Sequence, residues 1–78
     1  MTTKSLEYFL VVVKHLNISK AAKELFISQP ALSKQISQLE AELGVSLFDR
    51  IKHSLKLKHE GAVLLSETHE LFTEQDDL

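Results

Sequence analysis

The chain has 78 residues, of which 44% are hydrophobic and 26% charged, with two glycines and one proline; this composition predicts one small folded domain and excludes a disordered segment or a multidomain enzyme. It contains no cysteine, which excludes disulfide frameworks, thiolate metal sites and thiol nucleophiles and indicates a reducing, cytoplasmic setting. The longest apolar run, residues 9–13, is too short to cross a bilayer, and the amino terminus lacks the apolar segment of a signal peptide, so we expect a soluble protein with no membrane partner.

The formal net charge of -2 is unevenly distributed along the chain. Residues 1–58 contain all nine Lys and Arg residues and five acids, a net charge of +4. Residues 59–78 contain six acids and no Lys or Arg, a net charge of -6. This asymmetry predicts that the first part faces a polyanion and that the last part faces something else.

Two helices are predicted in the first 25 residues. The first rests on an apolar stripe at helical spacing, formed by Leu6, Phe9, Leu10, Val13 and Leu16. We expect Asn17 to end this helix, because Asn tolerates the left-handed conformation found at helix ends. Ser19 then opens a short second helix over residues 20–25, whose small alanines allow a following helix to approach closely.

A third helix is predicted to follow residue 28. Ser28 is a good N-cap, Pro30 fits the first helical turn, and Gly44 suits the left-handed position at the end. One face of this helix is apolar, with Leu32, Ile36, Leu39 and Leu43. The amino-terminal part of the opposite face carries Gln29, Pro30, Ser33, Lys34 and Ser37.

A small hairpin and a long last helix complete the predicted fold. Short strands at residues 47–48 and 55–57 flank a polar turn near Lys52, His53 and Ser54, and this hairpin is rich in basic residues. From about Glu60 helical spacing returns. We therefore expect two units, residues 1–58 and a linker helix over residues 59–78.

The last helix carries an apolar stripe opposite an acidic face. Leu64, Leu71 and Leu78 are seven residues apart, and Phe72 lies beside them. This stripe could pack on the domain's own core, but the acidic opposite face and the length favour a partner helix. We therefore predict that Leu64, Leu71, Phe72 and Leu78 form a dimer contact.

Two short helices joined by a tight turn, the second with a polar amino-terminal face, are typical of a helix-turn-helix unit that inserts the second helix into the DNA major groove. Gln29 can bind a base edge, Ser33 can reach a base or a phosphate, and Lys34 can neutralise a phosphate. A basic hairpin with Arg50, Lys52, Lys56 and Lys58 can flank the duplex as a wing, and His53 in its turn is included among the predicted DNA-binding residues. Taken one residue at a time, an ordinary solvated helix face is the simpler interpretation.

The order of the residues from 19 to 50 adds a family resemblance. The motifs that carry it are Ser-Lys-Ala-Ala-Lys-Glu-Leu at 19–25, Ile-Ser-Gln-Pro-Ala-Leu-Ser-Lys-Gln-Ile at 27–36, and Leu-Glu, Leu-Gly and Leu-Phe-Asp-Arg within 39–50. With these motifs the chain closely resembles the DNA-binding domain of LysR-type transcriptional regulators. The similarity extends without gaps from residue 9 to residue 65.

The resemblance implies a mainly helical, winged helix-turn-helix domain whose linker helix pairs two subunits. It also implies that a complete protein has an effector domain for a small molecule and can form higher oligomers. The family's DNA-contacting positions correspond to Gln29, Pro30, Ser33 and Lys34 on the recognition helix and to Arg50 before the wing, with Ser28 as the cap. The family usually has Arg where Lys34 stands and often Arg where His53 stands, and Lys in place of Arg favours phosphate contact over bidentate base reading.

Other functions have little support in the sequence. The histidines lack the helical spacing with acidic partners that defines a metal site, and neither a glycine-rich phosphate loop nor a catalytic triad is recognisable. We therefore predict no enzyme activity, no metal and no cofactor. The predicted function is binding of double-stranded DNA at an interrupted inverted repeat as a homodimer, and the alternative is a small helical protein-protein adaptor acting through the last helix.

Overall fold

The computed structural model describes residues 2–52 and 54–76, with the side chains of the last helix described as far as Thr68. In chain order the elements are α1 (Thr3–His15), α2 (Ile18–Leu25), α3 (Gln29–Leu43), β1 (Phe48–Ile51), β2 (Ser54–Leu57) and α4 (His59–Asp76). This is the mainly helical, winged helix-turn-helix arrangement that the sequence predicted. Within the residues described, no helix is both long and apolar enough to cross a membrane.

The junction between α1 and α2 differs from the prediction. Leu16, not Asn17, takes the left-handed conformation that ends α1, with φ of 49°, and Asn17, not Ser19, caps α2 by accepting a 2.9 Å hydrogen bond from the Lys20 N–H. The carbonyl of Leu16 accepts a 2.9 Å hydrogen bond from the N–H of Leu55 in the hairpin. This contact between distant segments helps hold Leu16 in a conformation that a branched residue rarely adopts.

The turn between α2 and α3 is short and closed by backbone hydrogen bonds. Phe26 adopts a left-handed conformation with φ of 58°, and the N–H of Ile27 donates to the carbonyl of Ala22 over 3.1 Å. Ala21 and Ala22 are both buried. Their small side chains are part of the core.

Ser28 and Gly44 bound α3 in the roles predicted for them. The Ser28 hydroxyl accepts a 3.2 Å hydrogen bond from the N–H of Ala31, which satisfies one of the unpaired donors at the helix start. Gly44 has φ of 72°, and its N–H donates to the Glu40 carbonyl over 2.9 Å. Both ends of α3 are therefore set by local sequence.

The core lies where α1, α2 and α3 meet the base of the hairpin. Its largest fully buried side chains are those of Phe9, Val12, Leu32, Leu39 and Leu47. The rings of Phe9 and Phe48 lie 5.7 Å apart at a tilt of 49°, so that β1 is anchored on α1. Leu64 of α4 also belongs to this core and is 9% exposed.

Both strands of the hairpin differ from the prediction, since the first covers residues 48–51 instead of 47–48 and the second begins at Ser54 instead of Leu55. The two strands pair antiparallel over four residues each, with Phe48 opposite Leu57 and Ile51 opposite Ser54. Phe48 and Leu55 are buried, which attaches one face of the hairpin to the helices.

Candidate nucleic-acid interface

The amino-terminal half of α3 presents a polar face because its apolar positions point into the core. Leu32 and Ile36 are buried, and at 100° per residue the polar positions span an arc of about 140° on the other side. Four of the predicted contact residues are exposed and Ser33 is half-buried; the exposed ones are Gln29, Pro30, Lys34 and Ser37. The structure thus brings all five residues onto one accessible surface.

Gln29 is tied to α2 at the start of this surface. Its Nε2 donates a 3.1 Å hydrogen bond to the Oγ of Ser19, which lies in the first turn of α2. The first residue of α3 therefore spans the gap between the two helices of the helix-turn-helix unit.

An open cleft of about 430 Å³ connects this helix pair with the hairpin. It is lined by Asn17, Ile18, Ser19, Gln29, Arg50, Lys52, Ser54 and Leu55. Arg50 pairs with Leu55 across the hairpin, and paired residues share one face of a two-stranded sheet. Because Leu55 is buried against the helices, Arg50 lies on the side of the hairpin that faces them. Gln29, Arg50 and Lys52, predicted separately from sequence, therefore line one cleft.

The sequence interpretation missed the contribution of the first turn of α2. Asn17 and Ser19 line the cleft beside Arg50 and Lys52, whereas the sequence predicts only helix-end roles for both. The sequence does contain a signal for this arrangement, because Asn prefers the N-cap position. With Asn17 as the N-cap, α2 begins at Ile18 and Ser19 lies in its first turn.

Not every basic side chain of the first 58 residues belongs to this surface. The Oε1 of Glu24 accepts hydrogen bonds from Lys14 Nζ and His15 Nε2, each over 2.9 Å, at the contact between α1 and α2. The hydrogen bond from Lys14, followed by that from His15, lowers the pKa of Glu24 below its ordinary value of 4.5. Lys14 thus forms an ion pair within the domain. The exposed Lys34 belongs to the polar face of α3, and the exposed Arg50 and Lys52 belong to the hairpin.

The structure describes five further predicted positions to different extents. His53 and Leu78 lie outside the described residues, and Leu71 and Phe72 lie in α4 beyond the last described side chain. Leu64 is part of the core. Among the residues described, no group of three or more His, Asp or Glu side chains is placed to hold a metal ion.

Comparison with known proteins identifies a family model that matches residues 3–62, described as the bacterial regulatory helix-turn-helix protein, lysR family. The HTH-type transcriptional regulator BsdA of Bacillus subtilis is 44% identical over 78 residues, covering 99% of this chain and 27% of that protein. XapR of Escherichia coli is 40% identical over 75 residues, covering 96% of this chain and 26% of that protein. The chain thus spans about a quarter of the length of these relatives, which are transcriptional regulators and not enzymes, as predicted.

Solved structures give the same result at the level of the fold. The CbnR_DBD–DNA complex superposes with a TM-score of 0.89 at 32% identity, covering 99% of this chain and 88% of that one. The BenM_DBD complex with benA site 1 DNA gives a TM-score of 0.89 at 38% identity, covering 99% and 90%. Both similar structures are complexes with DNA.

Proposed function

Because the chain belongs to the LysR family of bacterial regulatory helix-turn-helix proteins, we propose that it binds double-stranded DNA with the amino-terminal face of α3 in the major groove. In this proposal Gln29 binds a base edge, Lys34 contacts a phosphate, and Ser33 reaches a base or a phosphate. Pro30 packs against the duplex, and Ser37 extends the contact along the helix. Ser28 supports the surface by capping the helix.

The observation that carries the proposal is the continuity of this face with the basic cleft. Gln29 lines the same cleft as Arg50 and Lys52, so one approach of the duplex brings all three residues to the DNA. Arg50 and Lys52 then contact the phosphates that border the groove, and the proposal includes His53, the next residue in the sequence, among the DNA-binding residues. Phosphate contacts of this kind give affinity and orientation, while the base contact gives sequence preference.

We further propose that α4 pairs two copies of the chain, so that the dimer reads an interrupted inverted repeat. Leu71, Phe72 and Leu78 supply the apolar stripe between the helices in this proposal. Leu64 acts differently, because its burial in the domain core fixes the base of α4. Residues 1–58 then form the DNA-binding unit and residues 59–78 the linker and dimerisation helix.

The length of the relatives extends the proposal to a longer protein. A regulator of this family with a further effector domain would respond to a small molecule, assemble into higher oligomers and act on chromosomal DNA in the cytoplasm. The acidic residues of α4, including the exposed Glu60 and Glu67, face away from the duplex in this arrangement because like charges repel.

Salt dependence separates DNA binding from the alternative of a protein-protein adaptor. A fluorescently labelled duplex selected by this chain from a random-sequence pool, here termed the selected duplex, serves as the probe in anisotropy titrations at several salt concentrations. With Lys34, Arg50 and Lys52 each neutralising one phosphate, the logarithm of the binding constant should fall against log salt with a slope of about -3 per subunit.

Two results would contradict the proposal. One is the failure of any duplex to be selected. The other is an interaction whose strength does not change with salt, because an apolar helix interface releases few counterions. Either result would favour the adaptor function.

A further inference from the structure

The backbone of Leu47 connects the recognition helix with α4. Its N–H donates a 2.7 Å hydrogen bond to the Oε2 of Glu40 in α3. Its carbonyl accepts a 2.9 Å hydrogen bond from the N–H of Lys58, the residue that precedes α4. The Leu47 side chain is fully buried in the core. The position of Leu47 is therefore fixed by its N–H, its carbonyl and its side chain together.

Glu40 organises the connection between α3 and β1 from the helix side. The same Oε2 atom that accepts from Leu47 also accepts a 3.3 Å hydrogen bond from the hydroxyl of Ser46. The backbone carbonyl of Glu40 accepts from the N–H groups of Gly44 and Val45, over 2.9 and 3.2 Å. Glu40 thus accepts hydrogen bonds from four consecutive residues, 44–47, which connect the end of α3 with β1.

Gly61 completes the contact from the side of α4. A Cβ atom at this position would lie 2.5 Å from the Leu47 carbonyl oxygen and 2.5 Å from Cδ1 of Leu57. Ordinary contact begins at 3.4 Å, so a Cβ at this position would require the first turn of α4 and the Leu47 backbone to separate by about 1 Å. The close approach of α4 to this backbone therefore depends on glycine.

We propose that Glu40, Leu47 and Gly61 form a junction that fixes the angle between the recognition helix and α4, and thereby sets the spacing between the two half-sites that a dimer reads. This inference rests on the proposed function, in which α4 joins two subunits. Glu40 and Gly61 are positioning residues, since they act through Leu47 and lie outside the proposed DNA surface.

The length of α4 makes the spacing sensitive to this junction. The helix has 18 residues and is therefore about 27 Å long. If it pivots at Lys58, a displacement of about 1 Å near Gly61 becomes about 5 Å at its far end. One base pair corresponds to about 3.4 Å along the duplex, so the preferred spacing should change by about one to two base pairs.

The test selects binding duplexes from a random-sequence pool with the wild-type chain and with four variants. Gly61→Ala displaces α4, and Glu40→Ala removes the acceptor for the Leu47 N–H. Glu40→Gln keeps a side-chain oxygen acceptor at the same position, and Ser66→Ala is a control on an exposed position of α4. Sequencing gives two separate readouts, the base preference within each arm and the number of base pairs between the arms, and circular dichroism establishes that each variant is folded.

We expect Gly61→Ala and Glu40→Ala to keep the base preference within each arm but to shift the spacing by one to two base pairs or to broaden its distribution. Glu40→Gln and Ser66→Ala should select the wild-type spacing. If Gly61→Ala does not fold, the comparison of Glu40→Ala with Glu40→Gln provides the same test.

Two outcomes would overturn the inference, and they are distinguishable. If the folded variants select the same single spacing as the wild type, the junction does not set the spacing, while the proposed function stands. If the wild type selects no inverted repeat, dimeric DNA binding is itself wrong, and the inference fails with it.

Discussion

The side-chain amide of Gln29 donates a 3.1 Å hydrogen bond to the hydroxyl of Ser19, which joins the first residue of α3 to the first turn of α2. This bond orients Gln29 before any DNA is bound and reduces the entropy lost when the complex forms. A bidentate contact to adenine uses both polar atoms of the amide. Because the amide nitrogen carries two hydrogens, Gln29 can keep the hydrogen bond to Ser19 with one of them, while the other donates to adenine N7 and the amide oxygen accepts from adenine N6.

Gln29 and Lys34 should contribute differently to DNA binding. We expect Gln29→Ala to weaken binding to the selected duplex by about 1 to 3 kcal/mol with little effect on random DNA, because it removes a base contact. Lys34→Ala should weaken binding to both DNAs and reduce the salt slope by about 1, because it removes a phosphate contact. Fluorescence anisotropy with both duplexes measures these effects.

Gln38 provides the matched control for these variants, since it is another exposed glutamine of α3 outside the predicted contact set. Gln38→Ala should leave both affinities unchanged. Equal weakening of selected and random DNA by Gln29→Ala would show that Gln29 does not read a base.

The Ser28 cap should contribute measurably to stability. Ser28→Ala removes the acceptor for the Ala31 N–H and should lower the free energy of unfolding by about 1 kcal/mol. Urea unfolding, monitored by circular dichroism, gives this value. Ser66→Ala, at an exposed position within α4, should instead raise stability slightly because Ala is the better helix former; the same loss in both variants would argue against the capping role.

The depressed pKa of Glu24 predicts a pH-dependent contribution to stability. Hydrogen bonds from Lys14 and His15 lower this pKa below 4.5 in the folded chain, and a carboxylate of this kind stabilises the fold above its unfolded pKa and loses that effect as the pH falls through its folded pKa. We expect Glu24→Gln to be less stable than the wild type above pH 4.5 and the difference to vanish under more acidic conditions. The effect should be small because Glu24 is exposed.

Urea unfolding of both proteins across the acid range measures this difference. Glu7→Gln, which removes an exposed carboxylate from α1, controls for the change in net charge. A stability difference between Glu24→Gln and the wild type that persists unchanged to the lowest pH would mean that the Glu24 carboxylate is not its source.

Substitution at Leu71 tests the pairing of α4. Leu71→Asp would place a charge in the proposed seam between two copies, so it should abolish dimers while leaving α1, α2 and α3 folded. Sedimentation measures the dimer and circular dichroism the fold. A variant that still dimerises would place the interface elsewhere, and one that unfolds completely would assign Leu71 to the domain's own core.

The parts of the fold that were predictable are those set by local chemistry. Ser28 and Gly44 gave both ends of α3 because an N-cap hydroxyl and a left-handed glycine act within one helical turn. The end of α1 was not predictable in this way, since the Leu16 carbonyl bonds to Leu55, which is distant in sequence. Asn17 suits both a helix end and a helix start, and only the folded chain selects the second role.

The candidate site likewise combines features that local sequence sets with features that depend on contacts between distant segments. The polar face of α3 follows from helical periodicity, whereas the cleft that joins Gln29 to Arg50 depends on where the folded chain places the hairpin relative to the start of α2. The spacing of Leu64 from Leu71 also does not reveal which leucine enters the core. Burial of Leu64 depends on the contact of α4 with the base of the hairpin, where Gly61 meets Leu47.

The reading of bases by α3 in the major groove is tested most directly by removing single acceptors from the groove. In the selected duplex, each purine is replaced in turn by its 7-deaza analogue, which lacks the N7 acceptor that the major groove displays. Binding constants are measured with the wild-type chain and with Gln29→Ala. We expect one substitution in each half-site to weaken wild-type binding and to have no further effect on Gln29→Ala, because the contact is already lost. If no 7-deaza substitution weakens binding, or if the loss is the same in both proteins, Gln29 does not read a purine in the major groove.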